Sequence, residues 1–267
     1  MTQNQAWRSV GVSVTGPAHA DDGGECQDDF AVATGRSGVI VAVACDGAGS
    51  TRHGGTAARI TCEVLPPILL RRLSLEDEEG KAVPRELARA RRKVVKALAE
   101  ARSILLTHAA EQKLDTDEFL STLVGVIAHP RIGGIFFHIG DGAALCFDAS
   151  GSMLTLSPPE NGEYLNTTYF FVEDEWRRHL RVRFFPAGFK TIVLMTDGAT
   201  DLALERRPGR KVVPFAPFFT PVLRFLAAAD AAEGERGLRE ILDGPSAREK
   251  VDDDKTLVWL EALSNDD

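Results

Sequence analysis

Three apolar runs of this sequence border on an aspartate, and this arrangement limits the folds that the chain can adopt. They are 39–45 before Asp46, 191–196 before Asp197, and 256–260 shortly after Asp253. Continuous apolar runs of this length are typical of strands buried on both faces. A carboxylate at the end of such a strand is costly unless water, an opposite charge or a cation compensates it. Several carboxylates drawn together would repel one another unless a divalent ion held them ionised, so the sequence predicts strand ends that meet at a metal site.

Strand and helix patterns along the chain indicate sheets covered by helices. The predicted strands are 9–14, 29–33, 38–45, 121–128, 134–139, 143–148, 190–196 and 256–260. The predicted helices are 54–73, 84–111, 201–205, 215–229 and 234–242. In the first of these helices, Pro66-Pro67 is expected to cause a kink or a break, because proline removes a backbone donor and clashes with the preceding turn. Helices with one apolar face must cover something, and the many strands supply that surface.

The chain has the length of one large domain, and we predict a single domain over residues 1–267. No linker is apparent that would divide it. The interval 149–189 has weak periodicity, contains Pro158-Pro159 and a group of aromatic residues, and is predicted to be an inserted flap.

Composition and charge exclude several classes of protein. The net charge of -8 argues against a general nucleic-acid binder, which needs a basic surface. No stretch reaches the ~20 apolar residues of a membrane span, and the polar residues 1–5 lack a signal-peptide core, so we expect a cytoplasmic protein without membrane contact. The four cysteines show no Cys-x-x-Cys spacing and are expected to be reduced and mostly buried.

Five short motifs follow one another in an order that resembles a known family. They are Gln27-Asp28, Asp46-Gly47-Ala48-Gly49, Gly140-Asp141-Gly142, Thr196-Asp197-Gly198 and Asp253-Asp254-Lys255-Thr256. Each motif alone is weak, because Asp-Gly is a common turn, but the set in this order resembles the metal-dependent protein phosphatases of the 2C type. The resemblance spans about residues 9–261. Cys26-Gln27-Asp28 and the segment 162–168 are most similar to a divergent bacterial branch of that family.

The resemblance implies a fold and a set of metal ligands. The implied fold is α+β, a four-layer α-β-β-α sandwich of two mostly antiparallel sheets flanked by helices. The implied ligands are Asp46 bridging two ions, the Gly47 carbonyl, Asp28 on one ion, Asp197 and Asp253 on the other, and Asp141 on a weaker third ion. Hard oxygen ligands favour Mn²⁺ or Mg²⁺ over zinc.

Other roles for these acids stay open at this stage. Taken singly, Asp46 or Asp197 could be a turn or N-cap aspartate, and Asp141 could sit in a hairpin turn. A slip of one residue would replace Asp253 by Asp252 or Asp254. Asp201 is expected to be an N-cap or a hydrogen-bond acceptor behind the ligands rather than a ligand.

One expected feature of the family is missing. Many members carry an arginine five residues before the Gln-Asp acid, where a guanidinium can grip the substrate phosphate, but this chain has Gly23 there. Arg52 is the candidate substitute, although a plain surface arginine is equally compatible with its position. His53 is a candidate for protonating the leaving alcohol, and an ordinary loop histidine is the competing interpretation for it and for His19.

The leading hypothesis is a Mn²⁺- or Mg²⁺-dependent hydrolase of phosphoserine and phosphothreonine in proteins. It implies a phosphoprotein substrate, a Ser/Thr kinase or its targets as partners, and a monomer. The first rival is a noncatalytic relative, a pseudophosphatase that binds a signalling partner through residues 149–189. The second rival is a metal hydrolase for small phosphoesters, since the acids by themselves imply only a divalent-metal phosphoesterase.

Overall fold

The computed structural model of this chain describes residues 6–21, 23–35, 38–72, 83–160, 168–209 and 211–263. The strands are β1 (Trp7–Val14), β2 (Asp29–Thr34), β3 (Ile40–Cys45), β4 (Leu123–His129), β5 (Gly133–Ile139), β6 (Ala143–Asp148), β7 (Met153–Ser157), β8 (Arg181–Pro186), β9 (Phe189–Met195), β10 (Leu204–Arg207), β11 (Lys211–Pro214) and β12 (Lys255–Ala262). The α-helices are α1 (Pro17–Asp21), α2 (Gly54–Arg72), α3 (Val83–Gln112), α4 (Trp176–His179), α5 (Asp197–Ala203), α6 (Ala216–Ala228), α7 (Ala231–Asp243) and α8 (Pro245–Lys250). A short 3₁₀ helix covers Thr116–Glu118.

The strands form two five-stranded sheets and a two-stranded ribbon. The first sheet has the order β1-β12-β9-β6-β7, the second has the order β2-β3-β4-β5-β8, and β10 pairs with β11. Every strand pair is antiparallel. The connections between sheets place the ends of β3, β9 and β12 near one another, which is where the acidic motifs lie.

Three buried clusters define the layers. Helices α2 and α3 pack on the outer face of the second sheet, and α5 to α8 pack on the outer face of the first. A third cluster fills the space between the sheets, with side chains from β3 and β4 on one side and from β6, β9 and β12 on the other. The predicted four-layer α-β-β-α sandwich is therefore confirmed.

Strand β3 shows why the run 39–45 is apolar without interruption. Val41 and Val43 face the helices, whereas Ile40, Ala42 and Ala44 face the other sheet. Successive side chains of a strand point to opposite faces, so a strand with a layer on each side has no solvated face and needs no polar alternation.

Most predicted elements are present, with ends shifted by a few residues. The eight predicted strands correspond to β1 to β6, β9 and β12. Helix α2 runs without a break through Pro66-Pro67, and its neighbouring side chains Leu65 and Leu69 are fully buried. The prediction of a helix at 201–205 was wrong in its bounds, because the helix begins at Asp197 and residues 204–207 pair with β11 as a strand.

The predicted flap at 149–189 contains two strands that the sequence analysis missed. Strand β7 is the edge of the first sheet and β8 is the edge of the second. Edge strands are only half covered and tolerate charge and proline, which masks their apolar pattern. Phe171 and Trp176, which lie between these two strands, are buried in the core, so the flap prediction narrows to the residues between β7 and Phe171. Residues 161–167 of that part lie outside the described residues.

All four cysteines are free, and Cys45, Cys62 and Cys146 are buried. Within the described ranges, no helix combines the length and the apolar character needed to span a membrane.

Candidate metal centre

Three aspartates from both sheets converge at one end of the sandwich. Asp46 directly follows β3, Asp197 begins α5 just after β9, and Asp141 lies in the turn from β5 to β6. One carboxylate oxygen of each lies within 4.8 Å of an oxygen of the other two. Because β3 belongs to the second sheet and β9 to the first, this juxtaposition exists only when the two sheets are packed together.

Asp28 and Asp253 lie close enough to act electrostatically on this group. Asp28 precedes β2 and is buried, and Asp253 precedes β12 and is exposed. Both carboxylates raise the pKa of Asp46 by repulsion. The five acids that the sequence analysis selected as ligands are thus brought into one electrostatic neighbourhood, whereas which of them bind an ion stays a prediction.

Burial and mutual repulsion raise the pKa values of these carboxyl groups. For Asp46 and Asp197, burial is the largest cause, and the neighbouring aspartates add to it, so both pKa values lie well above the usual range. For Asp28, burial raises the pKa to about 7, although hydrogen bonds from Thr196 and Thr256 act in the opposite direction. A positive charge inside the group would relieve this repulsion.

The residues present fit hard divalent cations. The contributing groups are carboxylates, the type of ligand that Mn²⁺ and Mg²⁺ prefer. One buried oxygen of Asp28 and one of Asp141, Oδ1 in each case, have no hydrogen-bond partner. At Gly47, a Cβ atom would lie 2.3 Å from the carbonyl carbon of Gly54, so only glycine permits this close packing of the loop that follows Asp46.

Asp254 has a role that the sequence analysis did not foresee. Its buried carboxylate accepts hydrogen bonds from the backbone N–H of Gly16 at 2.7 Å and of Gln27 at 2.6 Å. His19 Nδ1 lies 3.0 Å from its Oδ2. Asp254 therefore holds the loops before β2 against the start of β12. Because Gln27 directly precedes Asp28, this contact also helps to place Asp28 near the other acids.

Threonines support the acids from behind. Thr196 donates from Oγ1 to Asp28 Oδ2 at 2.7 Å and accepts from the backbone N–H of Thr256 at 2.9 Å. The Asp46 N–H donates to Thr122 Oγ1 at 3.2 Å, and the Thr122 N–H donates to the Asp46 carbonyl at 2.8 Å. Thr196 and Thr256 belong to the Thr-Asp-Gly and Asp-Asp-x-Thr motifs, so their place in these motifs is the sequence signal that indicates a supporting role.

The remaining predicted site residues lie at the border of the centre. Arg52 is exposed in the loop between Gly47 and α2. His53 stacks on Phe119 with a centroid separation of 5.0 Å, and its Nε2 lies 3.9 Å from Glu118 Oε2. The N-cap prediction for Asp201 was wrong, because Thr196 is the N-cap of α5 and Asp201 is an exposed residue inside the helix.

Comparison with known proteins identifies the family. Residues 15–243 match the protein phosphatase 2C family. This chain belongs to that family. The sequence is 28% identical over 266 residues to serine/threonine-protein phosphatase 3 of Escherichia coli, covering 96% of this chain and 100% of that protein.

Two solved structures show the protein phosphatase 2C fold in distant relatives. Serine-threonine phosphatase 2C from Toxoplasma gondii superposes with a TM-score of 0.68 at 14% identity, covering 97% of this chain and 95% of that chain. Serine/threonine phosphatase Stp1 from Staphylococcus aureus gives a TM-score of 0.60 at 14% identity and the same coverage. At this identity the likeness concerns the fold alone.

The raised pKa of Asp28 predicts an unusual pH dependence for the metal-free protein. The group has a pKa of about 7 when folded and about 3.9 when unfolded, so between these values the folded state binds more protons. By linkage, stability in a chelator should therefore fall as the pH rises from about 4 to about 7. Urea unfolding at about pH 5 and about pH 7 checks this, and Asp28→Asn should reduce the slope. A stability that rises with pH in both proteins would contradict the assignment.

Removing the charge of Asp254 should destabilise the fold. We expect Asp254→Asn to lower the free energy of unfolding by about 1.5–3 kcal/mol, because two backbone donors lose a charged acceptor. The matched control is Asp252→Asn, an exposed neighbour whose replacement should change stability by less than about 0.5 kcal/mol. Both are measured by urea unfolding in a chelator. Equal stability of the two variants would mean that Asp254 does not anchor these loops.

Proposed function

We propose that this protein hydrolyses phosphoserine and phosphothreonine in proteins with the help of divalent metal ions. The observation that carries the proposal is the convergence of Asp46, Asp141 and Asp197, whose carboxylate oxygens lie within 4.8 Å of one another. Membership of the protein phosphatase 2C family and the Escherichia coli relative named serine/threonine-protein phosphatase 3 support the substrate class.

The proposed ion set is two Mn²⁺ or Mg²⁺ ions with a weaker third. We assign Asp46 as the bridging ligand and the carbonyl of Gly47 beside it, Asp28 to one ion, Asp197 and Asp253 to the other, and Asp141 to the third. When bound, such ions offset the negative charge of a phosphate ester and lower the pKa of the water that attacks phosphorus.

The protein's own contribution is to hold a concentrated negative charge in place. Thr196 fixes one oxygen of Asp28 and leaves the other free, and Thr122 fixes the backbone of Asp46. Carboxylates held in this way need no rearrangement when ions and substrate bind, and such preorganisation is the main source of catalytic electrostatics. Without ions, the same acids would repel a phosphate dianion.

Substrate contacts come from the loop between Gly47 and α2. Arg52 is an exposed cation in this loop and is the proposed contact for the substrate phosphate. His53 is the proposed acid for the leaving alcohol. The stacking of its ring on Phe119 would orient the imidazole, and the Glu118 carboxylate lies near its Nε2.

The proposed partners are phosphoproteins, namely a Ser/Thr kinase or its targets, in the cytoplasm. The net charge of -8 disfavours nucleic acid and anionic membranes as partners. We propose a monomer, since a chain with its own core between two sheets needs no second copy to bury apolar surface.

One observation favours the rival hypothesis of a catalytically weak binding module. Position 23, where many relatives have the phosphate-gripping arginine, holds an exposed glycine with φ +70°. This backbone conformation suits glycine, and the residue offers no side chain to hold a phosphate. A missing clamp would weaken substrate binding and leave a module that binds phosphoprotein partners without efficient turnover.

The deciding measurement is hydrolysis of a phosphothreonine peptide and of a small aryl phosphate, each with and without Mn²⁺. We expect Mn²⁺-dependent hydrolysis of the peptide, and Asp46→Asn should reduce kcat by a factor of roughly 100 or more while the fold is retained, because the variant loses a bridging charge. The exposed Asp252→Asn is the control and should keep its activity. No turnover of either substrate by the wild-type protein would support the binding module. Turnover of the aryl phosphate alone would support a small-phosphoester hydrolase.

Replacement of Arg52 tests the proposed phosphate contact. Arg52→Ala should raise KM for the phosphopeptide by about tenfold with little change in kcat or in Mn²⁺ affinity, because a charge-assisted hydrogen bond contributes roughly 1.5–3 kcal/mol to binding. Arg236→Ala, at an exposed position of α7 in the other helical layer, removes the same charge as a control. Identical KM values for Arg52→Ala and the wild type would reject Arg52 as the clamp.

A further inference from the structure

We propose that Arg181 is a positioning residue for Asp141, and that it thereby sets the affinity of the third ion. The proposal rests on the proposed function, because it assigns Asp141 to that ion. Arg181 opens β8 at the edge of the second sheet, and sequence analysis gave it no role.

The guanidinium of Arg181 is bound on three sides. Nη2 donates to the Gly140 carbonyl at 2.8 Å, Nη1 donates to the Pro158 carbonyl, and Nε lies 2.9 Å from Glu160 Oε2. The side chain is only 21% exposed. A planar, five-donor group is well suited to join several acceptors in fixed directions. Two hydrogen bonds and the ion pair with Glu160 hold the Arg181 guanidinium in place, so it is not a free clamp for substrate.

The turn that Arg181 holds is the one that carries Asp141. The Gly140 carbonyl also accepts from the Glu160 N–H at 3.1 Å, so two donors fix it. Gly140 has φ +106°, and a Cβ atom there would lie 2.8 Å from the Thr122 side chain. The turn is thus pressed against the same threonine that fixes the backbone of Asp46.

Arg181 also acts on Asp141 through its charge. Burial raises the pKa of Asp141 and Asp253 raises it further, whereas the positive charge of Arg181 partly offsets them. Asp141 Oδ1 is buried without a partner, and the carboxylate shares the three-aspartate group with Asp46 and Asp197. The guanidinium therefore fixes the turn that carries Asp141 through the Gly140 carbonyl, and Asp141 Oδ1 stays without a protein partner and is available to an ion.

Arg181 joins parts of the molecule that belong to different sheets. Pro158 and Glu160 follow β7 at the edge of the first sheet, and Arg181 itself lies in the second sheet. The turn between β5 and β6 crosses from the second sheet to the first. One side chain therefore ties both sheet edges to the turn, so the position of Asp141 depends on how the sheets meet.

The test compares Arg181→Gln with Arg181→Lys, and uses Arg183→Gln as a matched control. Arg183 is an exposed residue of the same strand, and its replacement removes one charge without breaking the contacts to the turn. Mn²⁺ binding is measured by calorimetry and by the electron paramagnetic resonance of free Mn²⁺. We expect Arg181→Gln to raise the Kd of the weakest site by about 10–100-fold, as when residues that orient a metal ligand are replaced, with the tighter sites unchanged. Arg181→Lys should recover part of this loss, and Arg183→Gln should match the wild type.

Urea unfolding of the Arg181 variants in a chelator distinguishes a positioning role from a role in stability alone, because a positioning residue changes the affinity for Mn²⁺ in a protein that is still folded. Should Arg181→Gln not fold, Glu160→Gln is the second variant; it removes one partner of Arg181 at a partly exposed position and should weaken the same site by a smaller factor. An unchanged weakest site in both folded variants, or equal weakening of all sites, would overturn the inference. Asp141→Asn separates this failure from that of the proposed function. If Asp141→Asn loses the weakest Mn²⁺ site while Arg181→Gln keeps it, only the inference about Arg181 is rejected. If the wild-type protein binds no Mn²⁺, both the inference and the proposed function are rejected.

Discussion

Mutual repulsion among buried and half-buried carboxylates is the constraint on which the rest of this structure depends. Asp28, Asp46, Asp141 and Asp197 are held with raised pKa values, because burial and the neighbouring charges both oppose ionisation. A fold that gathers four such groups gives up stability unless a cation compensates them. The apolar layers, the anchoring hydrogen bonds and the tight glycine turns supply the free energy that keeps the acids together.

The sandwich provides that free energy through three large hydrophobic clusters, one between the sheets and one on the outer face of each sheet. The run that becomes β3 is apolar on both faces, because α2 and α3 cover one face and the first sheet covers the other. Burying such a strand is favourable throughout its length, at roughly 25 cal/mol for each Å² of apolar surface. The burial of β3 therefore offsets the unfavourable free energy of placing the charge of Asp46 at its end.

The acids are oriented by residues that are not themselves proposed to bind an ion or the substrate. Asp254 binds two backbone N–H groups and joins the loops before β2 to β12. Thr196 links Asp28 to the same strand, and Arg181 links the Asp141 turn to both sheet edges. Each link spans a long sequence separation, so the centre depends on complete assembly of the fold.

Sequence patterns were most informative where burial is complete. Strands β3, β4, β5, β6, β9 and β12 are covered on both faces and were predicted from their apolar runs. Among the edge strands, β1 and β2 were predicted, whereas β7 and β8 were missed. In β8, solvent on one side permits charged residues such as Arg183, which mask the apolar pattern. The predicted helix at 201–205 failed for a local reason, since its last residues pair with β11 instead of continuing the helix.

By itself, the sequence determined the family, the layered fold and the set of acids that come together at one end of the sandwich, because motif order and the apolar pattern are properties of the chain. Only the tertiary structure distinguished the roles of adjacent acids. Asp253 and Asp254 are identical in chemistry and neighbours in sequence, yet one is exposed beside the other acids and the other is buried under two N–H groups. The side chains of successive residues at a strand entry point in opposite directions, and which direction meets the centre is decided by what packs there. The same holds for Arg181, whose partners lie 23 and 41 residues away along the chain.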